Sequence, residues 1–127
     1  MKNVNDLIDL LNLEQIASNT FKGISKTIGS PNVFGGQVLA QALNAANRTV
    51  PEERILHSLH SYFLEAGKLE VPIIFIVEEM RDGGSFSTRR VKAMQNDVII
   101  FILAASFHKI EAGFEHQKAI KKNIKQP

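Results

Sequence analysis

Several absences narrow the possible functions of this sequence. The 127-residue chain contains no cysteine, which excludes disulfides, thiolate metal sites, iron–sulfur clusters and a cysteine nucleophile. Its longest apolar run, Val98 to Ala105, is less than half of the roughly 20 residues that a membrane-spanning helix needs. Asp6, Asp9 and Asn12 interrupt the apolar stretch near the N-terminus, which is not typical of a signal peptide. We therefore expect a cytoplasmic protein that makes no membrane contact.

Motifs for common cofactors and nucleophiles are also missing. The sequence has neither a phosphate-binding P-loop nor a Gly-x-Gly-x-x-Gly fingerprint, so we expect no nucleotide cofactor. Ser85, Ser87 and Thr88 are not part of a Gly-x-Ser-x-Gly turn, which argues against a serine-hydrolase nucleophile. Fifteen basic residues against thirteen acidic ones leave a formal charge of +2. This charge is too small to indicate a nucleic-acid partner.

The composition and periodicity predict one globular domain that begins with helical and extended segments. The chain is 44% hydrophobic and 22% charged, values typical of a soluble fold. A short leading helix is predicted from apolar residues at helical spacing, namely Val4, Leu7, Ile8 and Leu11. A strand is predicted from Thr20 to Ile28, and the sequence Gly29-Ser30-Pro31 ends it.

A long central helix is predicted from Gly36 to about Asn47. Its surface is apolar and mostly small, apart from one narrow polar stripe formed by Gln37, Gln41, Asn44 and Arg48. Such a pattern favours a helix that is enclosed on several sides. The dipeptide Val50-Pro51 ends it, because the residue before proline avoids the helical region.

After Pro51 the hydrophobic period changes to two, which predicts four strands. These strands cover Ile55 to Leu64, Ile73 to Met80, Phe86 to Met94, and Val98 to His108. Asp82-Gly83-Gly84 and Asn96-Asp97 are short enough to make antiparallel hairpins. The last strand is apolar on both faces, so we place it in the interior of the sheet.

Five segments, in order along nearly the whole chain, resemble a known family. They are Val33 to Val38 (VFGGQV), His57 to Leu64 (HSLHSYFL), Arg81 to Val91 (RDGGSFSTRRV), Ala105 to Phe107 (ASF) and Glu111 to Gln117 (EAGFEHQ). Together they resemble the acyl-CoA thioesterase II family. The resemblance implies an α+β hotdog fold, in which a curved antiparallel sheet wraps around a long central helix.

The same resemblance implies a domain organisation. Members of that family contain two hotdog repeats in roughly twice this length, so this chain corresponds to the N-terminal repeat. Residues 1–113 are then a single hotdog domain, and residues 114–127 a tail or truncated linker between repeats. The alternative for this lysine-containing segment is a basic recognition arm. The resemblance also implies that the second repeat supplies the acid, hydroxyl and amide groups that position the hydrolytic water.

The start of the central helix is a candidate substrate-binding segment, made up of Phe34, Gly35, Gly36 and Gln37. Glycines there let a ligand approach unpaired backbone N–H groups. A helix N-terminus also favours the negative charge that develops on a thioester carbonyl oxygen during hydrolysis. The alternative is that the glycines only permit a tight turn. Because this segment has no carboxylate, we expect binding or polarisation from it and no acid–base chemistry.

His57 and His60 lie three residues apart in a predicted strand and are candidate acid–base groups, because an imidazole can exchange a proton near neutral pH. Residues three apart in a strand face opposite sides, so a shared metal ion is not expected. His57 would lie with Ile55, Leu59 and Phe63, as a hydrogen-bonded structural histidine or as a catalytic one. The family resemblance favours His57 as the catalytic candidate.

Arg89 and Arg90 are candidate ligands for the phosphates of coenzyme A. They should lie on opposite faces of their strand, and a guanidinium binds phosphate through paired hydrogen bonds. The alternative is an internal ion pair with Glu78 or Glu79 on the preceding strand.

We therefore expect an acyl-CoA thioesterase, which hydrolyses fatty acyl-CoA to free fatty acid and coenzyme A without a cofactor or metal ion. The isolated repeat should be weakly active or inactive. One alternative is a non-catalytic acyl-CoA-binding or scaffold module; another is a hydroxyacyl-thioester dehydratase, for which we find no placed carboxylate. An isolated half would expose the surface that meets its twin, so we also expect a homodimer or higher homo-oligomer.

Overall fold

The computed structural model describes residues 11–25 and 35–110. These two ranges contain six strands and one helix, in the order β1 (Glu14–Ala17), β2 (Thr20–Gly23), α1 (Gly35–Asn47), β3 (Arg54–Phe63), β4 (Ile73–Asp82), β5 (Phe86–Gln95) and β6 (Val98–Lys109). The predicted leading helix, Phe34 and the tail from residue 111 lie outside the described residues. In the described part, no helix has the length and apolar character needed to span a membrane.

The six strands form one antiparallel sheet in the order β1-β2-β4-β5-β6-β3. The interior position predicted for the last strand is confirmed, because β6 lies between β5 and β3. Both predicted hairpins form, and Asn96 and Asp97 both have positive φ angles, which residues of these types tolerate in a tight turn. β1 is not predicted from the sequence, since its four residues are exposed and show no hydrophobic alternation.

The helix covers one face of the sheet, which we call the inner face. Alternate residues of β4, β5 and β6 point to it and are buried, including Phe75, Val91, Leu103 and Phe107. Ala42, Ala45 and Ala46 of α1 are fully buried against this layer, and their small side chains allow close approach. The α+β hotdog arrangement expected from the resemblance is thus confirmed.

The polar stripe on α1 attaches the N-terminal strands to the helix. Gln41 Nε2 donates to the Ile24 carbonyl at 3.0 Å, and Arg48 Nη1 donates to the Leu13 carbonyl at 2.9 Å. Asn44 Nδ2 donates to the Leu11 carbonyl. These bonds satisfy backbone carbonyls that no strand pairs, so the stripe has a structural role along most of its length.

Candidate functional site

An open cavity of about 370 Å³ lies at the start of α1, where the helix meets the end of β3. Gly35 allows the Phe63 ring to pack closely there: a Cβ atom on it would lie 3.1 Å from the ring, so a larger residue would require the ring to shift. The lining is mostly apolar and consists of Gly35, Val38, Phe63, Leu64, Glu65, Ala66, Gly67, Ile100 and Phe101. The sequence-predicted glycine segment therefore borders a cavity of suitable character for an acyl chain.

Gln37 lies between two residues of this lining, Gly35 and Val38, and is only 6% exposed. In the described part of the chain, no acceptor lies within hydrogen-bond distance of its Nε2 atom. A buried amide donor without a partner costs about 1–3 kcal/mol in folding free energy. Gln37 is not part of the cavity lining, but its donor is available to a ligand that reaches the first turn of α1.

The electrostatic character of the helix start favours an oxygen that carries partial negative charge. The first turn of α1 contains no acidic residue, so no carboxylate of that turn offsets the positive potential of the helix N-terminus. Glu65, in the segment that follows β3, is the one acidic residue among those that line the cavity. Sequence reasoning missed both Glu65 and Phe63, because only the pairing of β3 with β6 brings the end of β3 to the start of the helix.

Two further depressions follow the same flank of the helix toward its C-terminus. One, of about 340 Å³, is bordered by Ala40, Leu43, Leu56 and Phe107 among others. The next, of about 320 Å³, shares Asn47 and Leu56 with it. We call the three depressions together the α1–β3 trough. It is open because β3 lies at the end of the sheet, and no further strand of the described residues pairs with its other edge.

His57 lies at a β-bulge, and this changes the face of the sheet on which its side chain lies. The register of β3 against β6 shifts between Leu56 and Ser58, so His57 is the extra residue. Its ring lies 4.3 Å from that of His108, on the face opposite to the helix, which we call the outer face. His60 pairs with Ala104 and lies on the outer face too. The expectation that the two histidines face opposite sides is therefore wrong, because a bulge inserts one residue into the alternation.

His57 forms one end of a row of rings on the outer face. His108 stacks on Phe86 with a centroid distance of 5.8 Å, and the Arg81 guanidinium lies 5.4 Å above the Phe86 ring. The row crosses β3, β6, β5 and β4. His57 itself is exposed.

The chain does not bring His57 and the helix start together. Phe63, which contacts Gly35, is six residues after His57 on β3. At about 3.3 Å per residue, the separation along the strand is roughly 20 Å. The two candidate groups also lie on different faces of the sheet. One hotdog repeat alone therefore does not combine them in a single site.

Arg89 and Arg90 lie on opposite faces, as their spacing predicts. Arg89 is on the inner face and only 1% exposed. Its guanidinium binds the Asp82 carboxylate, with Nη1–Oδ1 and Nη2–Oδ2 distances of 3.0 and 3.3 Å. Nε donates to the Thr49 hydroxyl at 2.8 Å, and Nη2 donates to the Thr49 carbonyl at 2.9 Å. All these partners belong to the protein, so Arg89 joins the end of α1 to the β4–β5 hairpin.

Asp82 receives a second hydrogen bond at this hairpin. The hydrogen bond from Ser87 and the one from Arg89 lower the pKa of Asp82 below its ordinary value. Ser87 in turn accepts a 2.8 Å hydrogen bond from Arg54 Nη1. Both arginines thus hold the hairpin against the inner face.

Arg90 is on the outer face, and its side chain is 48% exposed. Arg90 Nε lies 2.6 Å from Glu78 Oε1, and Lys92 Nζ lies 3.5 Å from the other oxygen of the same carboxylate. The hydrogen bond from Arg90 lowers the pKa of Glu78. The internal pair with Glu78, which the sequence left as an alternative, is present.

The architecture and the trough define the class of protein, and closer relatives then define the family. The chain has the fold of the phenylacetic acid degradation protein PaaI of Thermus thermophilus. The match has a TM-score of 0.66 at 14% identity and covers 83% of this chain and 99% of that chain. At this identity the likeness concerns the fold alone. The chain is a hotdog-fold protein.

The family follows from closer relatives. The family model described as the acyl-CoA thioesterase N-terminal domain matches residues 24–108, and the chain belongs to this family. It is 50% identical over 117 residues to acyl-CoA thioesterase 2 of Haemophilus influenzae, which covers 92% of this chain and 41% of that relative. An acyl-CoA thioesterase II structure from Mycobacterium marinum has 42% identity and a TM-score of 0.76, over 85% of this chain and 40% of that one. The chain thus spans about two-fifths of the length of these relatives.

Proposed function

We propose that this chain is the N-terminal repeat of an acyl-CoA thioesterase, which hydrolyses fatty acyl-CoA to fatty acid and coenzyme A. Residues 1–113 form the hotdog domain, and residues 114–127 lead toward the second repeat. The repeat supplies one wall of the acyl-binding tunnel, the α1–β3 trough, and a polar group for the thioester carbonyl. The cytoplasmic location expected from the sequence stays a prediction.

The observation that carries this proposal is the apolar cavity at the start of α1, together with the buried Nε2 atom of Gln37, which has no hydrogen-bond partner among the described residues. The first turn of the helix borders an apolar cavity through Gly35 and Val38, and Gln37 Nε2 is a further hydrogen-bond donor in the same turn. A thioester has an apolar acyl chain and a carbonyl oxygen that gains negative charge during attack by water. Donors aimed at that oxygen stabilise the transition state. Gly35 and Gly36 leave the backbone accessible, and Phe34 precedes them.

Replacement of Gln37 tests this proposal through binding. The probe is a ketone analogue of octanoyl-CoA in which a methylene group separates sulfur from the carbonyl, so that no thioester can be hydrolysed. We expect Gln37→Leu to weaken its binding about tenfold, the value of one lost hydrogen bond, as measured by isothermal titration calorimetry. The urea midpoint should not fall, because the variant removes a buried donor that has no described partner.

Gln41→Leu is the matched control. Gln41 is one turn further along the helix, and its Nε2 donates to the Ile24 carbonyl. This variant should lower the free energy of unfolding by about 1–3 kcal/mol because it leaves that carbonyl unpaired. Binding by the folded fraction should be unchanged. A Gln37→Leu variant that binds the analogue as tightly as the parent would contradict a substrate-binding role.

We also propose that the free edge of β3 receives a second hotdog unit. In a two-repeat protein this unit is the second repeat, and in solutions of the isolated chain it is another copy. Large apolar side chains are exposed along and just after this strand, namely Ile55, Leu56, Tyr62, Phe63 and Leu64. A long apolar edge strand readily pairs with another strand, and a two-fold axis would let it pair with itself.

Light scattering at micromolar concentration tests the edge contact. We expect the isolated chain to have twice the mass of one chain. Leu56→Lys should give a monomer, because a lysine on the edge opposes strand pairing. Ile16→Lys, an equally exposed position on β1 at the other end of the sheet, should remain dimeric. A monomeric parent chain would count against the proposal.

For the remaining candidates, we propose His57 as a catalytic residue in a site completed by the second hotdog unit, since a single repeat keeps it away from the helix start. Arg90, exposed beside Lys92, remains a candidate for the phosphates of coenzyme A. Arg89 is enclosed by protein groups, which favours a structural role for it.

A further inference from the structure

Phe63 has a position that sets it apart from the other side chains of the trough. It is the last residue of β3, and its ring lies on the inner face against Phe101, with a centroid distance of 4.8 Å. The same ring covers Gly35, the first residue of α1, so closely that a Cβ atom there would be 3.1 Å away. The ring therefore stands directly beside the first residue of the helix, and the first N–H groups of a helix have no partner within it.

On its open side the cavity is bordered by exposed side chains, among them Phe63. Val38, Ile100 and Phe101 form the floor and are buried, whereas the Phe63 side chain is 57% exposed. Its rotamer is thus held by contacts with Phe101 and Gly35 and not by enclosure. A ligand carbonyl that accepts hydrogen bonds from the helix start would place its neighbouring carbon atoms against this ring.

From these contacts we infer that Phe63 is a specificity-determining residue that limits the bulk of the acyl group next to the carbonyl. This inference rests on the proposed function, since it assumes that the thioester carbonyl binds at the helix start. Straight acyl chains fit along the trough past the ring edge. An acyl group with a methyl branch on the carbon next to the carbonyl would collide with the ring.

The inference is tested by the binding of two ketone analogues to the 127-residue chain. One is the straight octanoyl-CoA analogue described above, and the other has a methyl branch on the carbon beyond the carbonyl. The parent chain should bind the straight analogue more tightly. Phe63→Ala should reduce the ratio of the two dissociation constants about tenfold, the effect of one misfitted methyl group in an apolar pocket. Phe63→Leu should fall between the parent chain and Phe63→Ala.

Tyr62→Ala is the matched control, because Tyr62 is an aromatic residue on the same strand that lies on the outer face and is 66% exposed. It should leave the ratio unchanged. If the straight analogue binds and Phe63→Ala has the same ratio as the parent, the role of Phe63 is refuted while the proposed function stands. If neither analogue binds to the parent chain, the proposed function fails and the inference fails with it. Urea unfolding of each variant establishes that it is folded.

Discussion

Replacement of Arg89 by alanine is expected to lower the free energy of unfolding by about 3 kcal/mol or more. The side chain is 1% exposed and donates to Asp82 and to both the hydroxyl and the carbonyl of Thr49. Alanine would leave a cavity at a fully buried position and remove the donors to the half-buried Thr49 and to Asp82. Urea unfolding followed by circular dichroism measures the loss.

The neighbouring arginine is a stringent control for this loss. Arg90 also makes an ion pair, with Glu78, but its side chain is 48% exposed. Exposed pairs contribute about 0–1 kcal/mol, so Arg90→Ala should change stability by no more than that. Equal losses for the two variants would mean that Arg89 is not a buried link between α1 and the hairpin.

The loss of stability in Arg89→Ala should become smaller at acidic pH. The folded-state pKa of Asp82 is lowered, first by the hydrogen bond from Ser87 and then by that from Arg89. A carboxyl group of this kind stabilises the fold fully above its unfolded pKa, about 3.9, and loses this contribution as the pH falls through the lowered folded value. The difference between the parent chain and Arg89→Ala should therefore be constant near neutral pH and narrow below about pH 4.

Replacement of His57 is expected to have the largest effect on catalysis. We expect the isolated chain to release little coenzyme A thiol from octanoyl-CoA, and the chain joined to the C-terminal part of the Haemophilus influenzae relative to release it readily. In that two-repeat protein, His57→Ala should reduce the rate by roughly 100-fold or more, the usual contribution of a general acid or base. The bulge supports this expectation, because bulges often direct side chains at active sites.

Two further variants identify the side chain that acts as the general acid or base. His60→Ala, on the same face of β3, should retain the parent rate. Glu65→Gln removes the carboxylate at the cavity beside the helix start, and it should also leave the rate close to that of the parent. A large loss in Glu65→Gln with none in His57→Ala would assign the base to Glu65 and leave His57 only the ring contact with His108. Rapid thiol release by the isolated chain would show that the second repeat is not needed.

Local patterns in the sequence were sufficient to predict most of the helices and strands. The central helix begins at Gly35, one residue before its predicted start, and ends at Asn47 as predicted. Each of the four predicted strands after Pro51 agrees with the structure to within two residues at either end. These elements depend on hydrophobic periodicity and on turn residues, and both are properties of neighbouring positions. β1 escaped prediction because it is exposed and has no such alternation.

The site required contacts between residues far apart in the chain. The sequence indicated the glycines and Gln37 at the helix start, but Phe63 reaches Gly35 only because β3 pairs with β6 at the end of the sheet. The partner of Arg89 also differed from the expected glutamates, since the hairpin turns Asp82 and Ser87 toward the inner face beside Thr49.

The sequence by itself determined the family, the elements and the opposite faces of Arg89 and Arg90. It did so because motifs and strand alternation are encoded at short range. Only the tertiary structure decided which strand is left at the edge, which residues border the trough, and that a bulge places both histidines on the outer face. These features follow from strand order and register, which depend on how distant segments pack together and are not specified by any local pattern.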